Sequence, residues 1–260
     1  INKTLFIPLY GKSLVSQKSL FLHDQKAEEI WAKEAFPLKG KSRSRWLAYY
    51  MGIRSAVFDQ WTAQQMKEHP EAVILHLGCG MDSRVLRVET ENHLWYDVDF
   101  PSVITERKKY FQETSAYCMV PGDVKEEDWL KQIPPSGCAI IIMEGISMYL
   151  NDEEKKGLLN RLCNHFVHLV LLMDCYTTLA ARLSRYKNPI NDVGVTKVYG
   201  TDDPHTLENG SFTFVKEHDM TPSFFTHQLQ GMERMIFRKL YAGKIAKKMY
   251  RLFEYKSKHP

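Results

Sequence analysis

A glycine-containing turn, followed about twenty residues later by an acid at a strand end, is the feature of this chain that could do chemistry. Gly78, Cys79 and Gly80 follow a run of apolar residues, and Asp99 ends the next such run. Glycine permits a tight turn and lets the backbone approach a ligand that a Cβ would exclude. In doubly wound sheets, an acid at this distance accepts hydrogen bonds from the hydroxyls of a ribose. The spacing therefore predicts a nucleoside-containing cofactor with Asp99 on its ribose.

The residues around the turn favour a cofactor without phosphate. Ser83 stands where a dinucleotide loop has its third glycine, and Asp82 places a negative charge beside the phosphate position. S-Adenosylmethionine has ribose and adenine but carries cationic centres, so Asp82 would not repel it. Asp97 shares a strand face with Asp99 and is the alternative ribose ligand. We favour Asp99, because it is nearer to the carboxyl end of the strand, where ligands bind.

Polar residues after the third and fourth predicted strands extend this candidate site. Asp123 could accept from the exocyclic amine of adenine while Val124 packs on the purine, although Asp123 could instead cap a turn. Glu144, beside Gly145, could balance the sulfonium or ammonium end of the cofactor, since an unpaired buried carboxylate is costly. Tyr149 could position a second reactant or could simply pack in the core.

Arg54 lies in a helical segment before the first predicted strand, where Tyr50, Arg54 and Val57 share roughly one face. An arginine on a mostly apolar face needs an acidic partner, because burying an unpaired charge is costly. The carboxylate of S-adenosylmethionine would serve as that partner, and an aspartate of the protein would serve equally well.

From residue 71 onward, short apolar runs alternate with helical patterns, which indicates a parallel sheet with helices on both faces. Strands are predicted over 72–78, 93–98, 116–120, 138–143, 167–173, 211–217 and 250–255. Helices are predicted over 25–35, 44–67, 83–89, 101–113, 126–132, 151–165 and most of 222–247. We expect a single domain over 1–260, with a helical N-terminal cap over 1–70 and a variable insert over the active site at 176–210.

Composition limits the class of protein. The chain has 260 residues, 44% of them hydrophobic, with a mild net charge of +4. The basic stretch 238–258 interleaves charge with apolar residues, and we interpret it as an amphipathic helix with a solvated face rather than a nucleic-acid site. The five cysteines form no CxxC pair, and no apolar run is long enough to cross a bilayer. We expect a cytoplasmic protein with reduced thiols, no metal, a small-molecule acceptor, and neither nucleic acid nor membrane as partner.

The motifs together resemble the leucine carboxyl methyltransferase family. The resemblance rests on Arg54 and on the segments 77–84, 96–101, 122–124 and 144–150, and it spans nearly the whole chain. It is closest to the bacterial branch related to the polyketide carboxyl O-methyltransferase of tetracenomycin synthesis. This resemblance implies an α/β class I methyltransferase (Rossmann-like) sheet of about seven strands, the last of them antiparallel.

The resemblance also implies an S-adenosylmethionine-dependent O-methyltransferase and a role for each motif. Its implied cofactor contacts are Arg54 at the carboxylate, Gly78 against the cofactor, Asp99 at the ribose, Asp123 and Val124 at the adenine, and Glu144 near the methionine moiety. The resemblance does not carry over the acceptor, because family members differ most on the substrate side, around 1–45 and 176–210.

The motifs contain no obvious catalytic base, which suits a carboxylate acceptor that is ionised at neutral pH. We therefore expect carboxyl methylation of a small acid or natural-product intermediate. A hydroxyl or amine acceptor would need a base, for which His23 and His76 are the nearest candidates, and a protein that binds the cofactor without chemistry is a further alternative. A cavity lined by Lys41, Arg43 or Arg45 would favour a carboxylate, whereas an apolar, aromatic cavity would favour a phenolic or polyketide acceptor.

Overall fold

The computed structural model describes residues 5–34, 36, 38, 40–90, 93–187 and 197–258. Its seven strands are β1 (Val73–Leu77), β2 (Trp95–Asp99), β3 (Tyr117–Pro121), β4 (Cys138–Met143), β5 (His168–Tyr176), β6 (Phe212–His218) and β7 (Tyr250–Ser257). Its α-helices are α1 (Phe6–Gln17), α2 (Gln25–Glu34), α3 (Arg45–Glu68), α4 (Arg84–Arg87), α5 (Pro101–Arg107), α6 (Asp152–His165), α7 (Thr178–Lys187), α8 (Ser223–Thr226), α9 (Gly231–Tyr241) and α10 (Lys244–Lys247).

The strands form one sheet in the order β3-β2-β1-β4-β5-β7-β6. The five strands from β3 to β5 pair in parallel, whereas β7 is antiparallel to both β5 and β6. The predicted sheet of about seven strands with an antiparallel last strand is therefore confirmed. Strand order reverses at β1, whose neighbours lie on opposite sides, so the carboxyl end of β1 is the switch point where ligands bind.

Alternating residues of the central strands supply two separate cores, one on each face of the sheet. Ile74 and Ile140 point into the core formed with α1 and α3. Leu75 and Ile141 point into the core formed with α6. Asn151 begins α6 through a capping box with Glu154, as the sequence predicted for this position.

Helix α1 was not predicted, and it crosses α3 at close range through two glycines. A Cβ at Gly11 would lie 2.8 Å from the Cβ of Met51, and a Cβ at Gly52 would lie 2.7 Å from Cγ2 of Val15. Gly11 lowers the intrinsic helix propensity of α1, which hides it from pattern analysis. Burial against α3 stabilises the helix instead, as tertiary contacts commonly do for short helices.

Three predicted helices are wrong in extent. Helix α5 ends at Arg107, because the chain turns and Glu113 accepts the backbone N–H of Met119 beside β3. The predicted helix 126–132 is only a 3-10 turn at Leu130–Gln132. Its tryptophan, Trp129, packs so closely on Gly122 that a Cβ there would lie 2.4 Å away. The basic stretch 238–258 is helical only to Lys247 and then forms β7, where its apolar residues alternate across the sheet.

Candidate active site

A cavity of about 330 Å³ lies at the carboxyl ends of β1, β2 and β4, beside the switch point of the sheet. Its lining includes all the residues that the sequence favoured for the cofactor, together with Tyr149, the candidate for positioning a second reactant: Arg54, Gly78, Cys79, Gly80, Asp99, Asp123, Val124, Glu144, Gly145 and Tyr149. Residues from five separate segments of the chain therefore meet in one place, as the carboxyl edge of a parallel sheet requires.

The N-terminal helices form the opposite wall of this cavity. The residues that they contribute are Leu5, Ile7, Pro8, Leu9 and Lys12 from α1 and the residue before it, and Leu47, Met51 and Arg54 from α3. The sequence missed α1 and with it Lys12, a buried lysine at the cavity surface. A lysine four residues after Pro8 carries no motif of its own, so only the fold reveals its position.

The turn after β1 depends on glycine at both predicted positions. Gly78 has a φ of +67° and Gly80 a φ of +52°, a region that L residues with side chains seldom adopt. A Cβ at Gly78 would also lie 2.1 Å from Cγ2 of Ile146 in the loop after β4. The turn therefore brings backbone to the cavity surface where a side chain would not fit.

Asp99 holds this turn in place while it faces the cavity. Oδ2 accepts the backbone N–H of Gly80 at 2.8 Å, and Oδ1 accepts that of Phe100 at 2.7 Å. Burial raises the pKa of Asp99, although these two hydrogen bonds act in the opposite direction. The carboxylate is thus oriented by the backbone, with lone pairs left to accept from a ligand.

Asp97, the alternative ribose ligand, is not among the residues that line the cavity. It is fully buried, where it accepts from Arg107, from the hydroxyl of Tyr117 at 2.6 Å and from Nε1 of Trp95 at 2.8 Å. Burial would raise the pKa of Asp97, but the positive charge of Arg107 together with His76 and Tyr117 outweighs burial and lowers that pKa. The structure therefore gives Asp97 a role in the core.

Arg54 lies between the cavity and two buried acids. Its Nε donates to Glu144 at 3.0 Å, and its Nη1 donates to Asp174 at 3.0 Å and to the hydroxyl of Tyr250 at 2.7 Å. Tyr250 in turn donates to Asp174. The protein itself thus supplies the acidic partners that the apolar face of α3 requires, and the guanidinium still forms part of the cavity wall.

Glu144 joins this group to α4, since it also accepts from Arg84. Burial would raise the pKa of Glu144, but Arg84 and Arg54 outweigh it and lower the pKa to about 2. Glu144 therefore stays ionised at neutral pH, with its charge balanced by two arginines of the protein. Gly145 follows with a φ of +76°, and a Cβ there would touch the Arg54 guanidinium at 3.4 Å.

Asp82 is surrounded by cations, which changes one inference from the sequence. Nζ of Lys12 and Nη1 of Arg87 each lie 2.9 Å from its carboxylate, and Nη1 of Arg84 lies 3.5 Å away. Its negative charge is therefore compensated, and the argument that Asp82 would repel a phosphate loses its force. Ser83, fully buried and bonded to Asp24 at 2.5 Å, still stands where a dinucleotide loop has glycine.

The two candidate histidines are poorly placed as bases. Nε2 of His76 lies 3.3 Å from Nη1 of Arg84, and Nδ1 lies 3.5 Å from Asp97. Because arginine can only donate, Nε2 of His76 is the acceptor in this contact and is occupied by the protein itself. His23 is exposed and lies outside the cavity lining, so its nomination as a base is wrong.

The cations suggested for the acceptor side also lie elsewhere. Arg43 and Arg45 are exposed and do not line the cavity, and Arg45 instead pairs with Glu233 at 3.2 Å. The side chain of Lys41 falls outside the described residues. The described lining obtains its positive charge from Lys12, Arg54 and Lys125.

Asp123 has the turn role that the sequence offered as one alternative, and its position also leaves room for the other, contact with a ligand. Its Oδ1 accepts the backbone N–H of Lys125 at 2.9 Å, and its carbonyl accepts that of Glu126 at 2.9 Å, so it begins a turn. The half-buried side chain nevertheless lies on the cavity surface next to Val124. Turn formation and contact with a ligand are therefore compatible at this position.

Three tyrosines from separate elements also line the cavity: Tyr149, Tyr176 and Tyr250. The predicted insert 176–210 approaches this region. Within its described part, the backbone N–H of Tyr199 donates to the carbonyl of Met148 at 2.8 Å, and that of Thr201 donates to the carbonyl of Tyr176 at 2.7 Å. Residues 188–196 of the insert lie outside the described residues.

The profile of leucine carboxyl methyltransferases matches residues 2–163, more than half of the chain. The chain belongs to the leucine carboxyl methyltransferase family. It is 29% identical over 243 residues to the tetracenomycin polyketide synthesis O-methyltransferase TcmP of Streptomyces glaucescens, an alignment that covers 91% of this chain and 89% of TcmP. As a member of this family, the chain is an S-adenosylmethionine-dependent methyltransferase.

Solved structures share the fold of this family member. A putative methyltransferase from Thermobifida fusca superposes with a TM-score of 0.58 at 13% identity, covering 96% of this chain and 94% of that one. The magnesium protoporphyrin IX methyltransferase of Synechocystis, solved with bound S-adenosylhomocysteine, has a TM-score of 0.54 at 10% identity and covers 90% of this chain and 93% of that one. The class I methyltransferase fold that the sequence predicted is confirmed.

Proposed function

We propose that this methyltransferase forms methyl esters, by transferring a methyl group to the carboxylate of an acid that has an apolar or aromatic body. The observation that carries the proposal is that neither candidate histidine is placed as a base: His76 contacts Arg84, and His23 lies outside the cavity lining. A carboxylate acceptor is ionised at neutral pH, so its methylation needs alignment and desolvation but no proton transfer.

The backbone turn and the charged groups of the cavity suit the parts of S-adenosylmethionine. Glycine at 78 and 80 leaves room for close approach of the ligand, and the oriented carboxylate of Asp99 suits the ribose hydroxyls. Asp123 and Val124, on the neighbouring strand end, suit the adenine. When bound, this cofactor supplies an electrophilic methyl group attached to a sulfonium, which is a strong leaving group.

The amino-acid end of the cofactor has a carboxylate and an ammonium group. Another part of the cavity offers an opposite charge for each of them. Lys12 and Arg54 would attract the carboxylate, and Glu144 would attract the ammonium. Lys12 differs from Arg54, because its partner Asp82 keeps Arg84 and Arg87 when the lysine is removed. A substitution at Lys12 therefore leaves no buried carboxylate unpaired.

We expect Lys12→Met to weaken S-adenosylmethionine binding about tenfold, since a hydrogen bond to a charged group contributes about 1.5–3 kcal/mol. Methionine retains most of the buried aliphatic volume, so the melting temperature should change by only a few degrees. Isothermal titration with S-adenosylmethionine measures the affinity. Titration with 5′-methylthioadenosine, which lacks the amino-acid group, is the matched control and should show no difference between variant and wild type.

The lining contains ionisable groups, but their environments make them poor bases or nucleophiles. His76 is held by Arg84 and Asp97. Burial raises the pKa of the Tyr250 hydroxyl well above its ordinary value. Burial also raises the pKa of the Cys79 thiol, which keeps it protonated beside a methylating agent. None of these three groups is poised to accept the proton of a phenol or amine acceptor.

The acceptor would lie against the wall formed by α1, α3 and the tyrosines. This wall is apolar apart from the paired cations, with Leu47, Met51 and Tyr149 among its members. On the expectation stated from the sequence, an apolar, aromatic wall without Arg43 and Arg45 favours a phenolic or polyketide acceptor. Support for a carboxylate comes instead from the placement of the two candidate histidines, neither of which is positioned as a base.

Three probes with one ring system separate the possible acceptor groups: 2-naphthoic acid, 2-naphthol and 2-naphthylamine. We expect transfer of radiolabelled methyl from S-adenosylmethionine to the acid alone, giving a product that releases volatile methanol in alkali. The rate with the acid should be independent of pH from about 6 to 9, because the acceptor is already ionised and no base titrates. A base-stable product from the naphthol or the amine would contradict ester formation.

Tight binding of S-adenosylmethionine without transfer to any acceptor would favour the non-catalytic alternative. A rate that rises with pH through the range where a side chain titrates would instead favour a hydroxyl acceptor with a base. Tyr149→Phe tests the remaining open assignment. It should raise KM for the acid without changing the affinity for S-adenosylmethionine if the hydroxyl positions the acceptor.

A further inference from the structure

An apolar and cationic surface lies on α9 and α10, outside the site described above. Its apolar members are Met232, Met235, Leu240 and Ile245, which are 74%, 63%, 58% and 81% exposed. Its cationic members are Arg234, Arg238, Lys239 and Lys244, all of them exposed. We name these eight residues the basic apolar surface.

Helix geometry explains why these residues face outward. Phe237 is fully buried on the inner side of α9 and stacks on Tyr241. Glu233, on the same inner side, accepts from Tyr49 at 3.3 Å and pairs with Arg45. At 100° per residue, Met232, Met235 and Lys239 project from the opposite side, Arg238 lies at its margin, and Arg234 and Leu240 are exposed on the two flanks of the inner side. An apolar outer face on a helix whose inner face already packs on the core indicates a contact outside the chain.

The charge of this surface is of one sign. Glu233 is the only acid of α9 and it is turned inward. Within the described part of the chain, the four cations of the surface form no ion pair at 4.0 Å or less. The surface therefore offers positive charge and apolar side chains together, and its partner must supply negative charge beside an apolar phase.

We propose that the basic apolar surface docks this methyltransferase on an anionic lipid membrane. A lipid surface supplies anionic headgroups for the cations and an acyl boundary for the methionine, leucine and isoleucine side chains. A second copy of the chain fits poorly, since a two-fold contact would set the same cations against one another. A nucleic acid would neutralise the cations but would leave the apolar side chains in water.

The position of the surface supports a functional link with the cavity. Helix α10 leads directly into β7, whose first residue, Tyr250, lines the cavity. Thr177 ties the two regions together, because its hydroxyl donates to the carbonyl of Lys248 at 2.9 Å and its neighbour Tyr176 also lines the cavity. The docked face and the cavity thus share the carboxyl edge of β5.

This proposal concerns contact with a membrane surface and not insertion across it. Among the described helices, none is long and apolar enough to cross a bilayer. The sequence led us to expect no membrane partner, and the proposal departs from that expectation only for peripheral contact. It does not depend on the acceptor chemistry proposed above, because docking and methyl transfer are measured separately.

Vesicle flotation with the full chain tests the proposal. We expect the protein to float with vesicles of phosphatidylcholine mixed with phosphatidylglycerol, and to bind pure phosphatidylcholine vesicles at least about tenfold more weakly. Binding should also fall steeply with added salt, as exposed charges are screened. Equal binding to both vesicle types, or to neither, would overturn the proposal.

Two sets of variants separate the apolar from the cationic contribution. Met232→Ser with Met235→Ser and Ile245→Ser, and separately Arg234→Glu with Lys239→Glu, should each reduce vesicle binding about tenfold or more. All five positions are exposed, so the melting temperature should stay close to that of wild type. Val167→Ser, at a 66% exposed residue on the amino edge of β5, is the matched control and should bind vesicles normally.

A soluble polyanion distinguishes lipid docking from general anion binding. Wild type should prefer anionic vesicles to duplex DNA at equal phosphate concentration. If the triple serine variant binds vesicles as wild type does, or if DNA displaces the protein fully at that concentration, the surface is a general anion site and the proposal fails.

Discussion

Replacing Arg54 by methionine should lower the free energy of unfolding by about 3–5 kcal/mol, the cost of breaking a buried ion pair from one side. Glu144 would keep Arg84 as its partner. Asp174, fully buried, would retain the N–H of Gly145 and the hydroxyl of Tyr250 but would lose Arg54, its partner cation among the described residues. The loss of stability therefore comes mainly from Asp174, whose carboxylate is left without its cation.

The carboxylate of Asp174 makes the stability loss of Arg54→Met depend on pH. Burial raises the pKa of Asp174 in the folded protein, and Arg54 opposes this rise. Without Arg54 the folded pKa must increase further above the unfolded value of about 3.9. The folded state then binds the proton more tightly than the unfolded chain, so stability is lost as pH rises from that value through the folded pKa. The defect of Arg54→Met should accordingly be larger at pH 8 than at pH 5.

Urea unfolding at pH 5 and pH 8 measures this effect, and Asp174→Asn provides the matched control. Added to Arg54→Met, the Asn substitution removes the orphaned charge and should restore part of the stability at pH 8 with little change at pH 5. If Arg54→Met unfolds within about 1 kcal/mol of wild type at both pH values, the buried pair does not contribute as proposed. Binding of S-adenosylmethionine to the folded variant then reports separately on the cavity wall.

The sheet and the cofactor side of the cavity were accessible from sequence because both depend on local signals. A strand buried on both faces reads as a short apolar run, and five of the seven strands carry such runs. The ends of β1, β2, β3 and β4 then fall at one edge by topology alone. Gly78, Asp99, Asp123 and Glu144 could therefore be placed together without knowledge of any side-chain contact.

The ionic network behind the cavity could not be predicted, since its partners are distant in sequence. Lys12 meets Asp82, Arg87 meets Asp24, and Arg54 meets Asp174 only after α1, α3 and α4 have assembled. Asp82 shows the consequence most clearly. From sequence it is a charge beside the cofactor, whereas in the structure three cations surround it and it holds α1 against the glycine turn.

Helix α1 was missed for a related reason. The stability of α1 comes from contact with α3, where Gly11 and Gly52 allow the two backbones to approach. A pattern of neighbouring residues does not reveal this contact, because its two sides lie far apart in the sequence. Because α1 forms part of the wall proposed for the acceptor, the sequence could predict residues for the cofactor but could not predict where an acceptor would lie.

Asp99→Ala should weaken binding of S-adenosylmethionine about 10- to 100-fold, or about 1.4–2.8 kcal/mol, which is close to the contribution of one hydrogen bond to a charged acceptor. Part of this loss comes through the turn, because the N–H groups of Gly80 and Phe100 lose their acceptor. Asp99→Asn keeps one acceptor oxygen for the turn but has no charge, so it should fall between wild type and the alanine variant.

Asp97→Asn is the control that distinguishes the loss of a cofactor contact from general damage to the core. Asp97 has the same strand and the same face as Asp99 but lies outside the cavity lining, paired with Arg107. Its substitution should lower the melting temperature, because a buried arginine loses its ionised partner. The affinity of the remaining folded protein should stay within about threefold of wild type, which is less than 1 kcal/mol. Should titration show an equal loss of affinity in Asp97→Asn and Asp99→Ala, the ribose assignment would lose its basis, because both effects would then arise from the strand and not from one carboxylate.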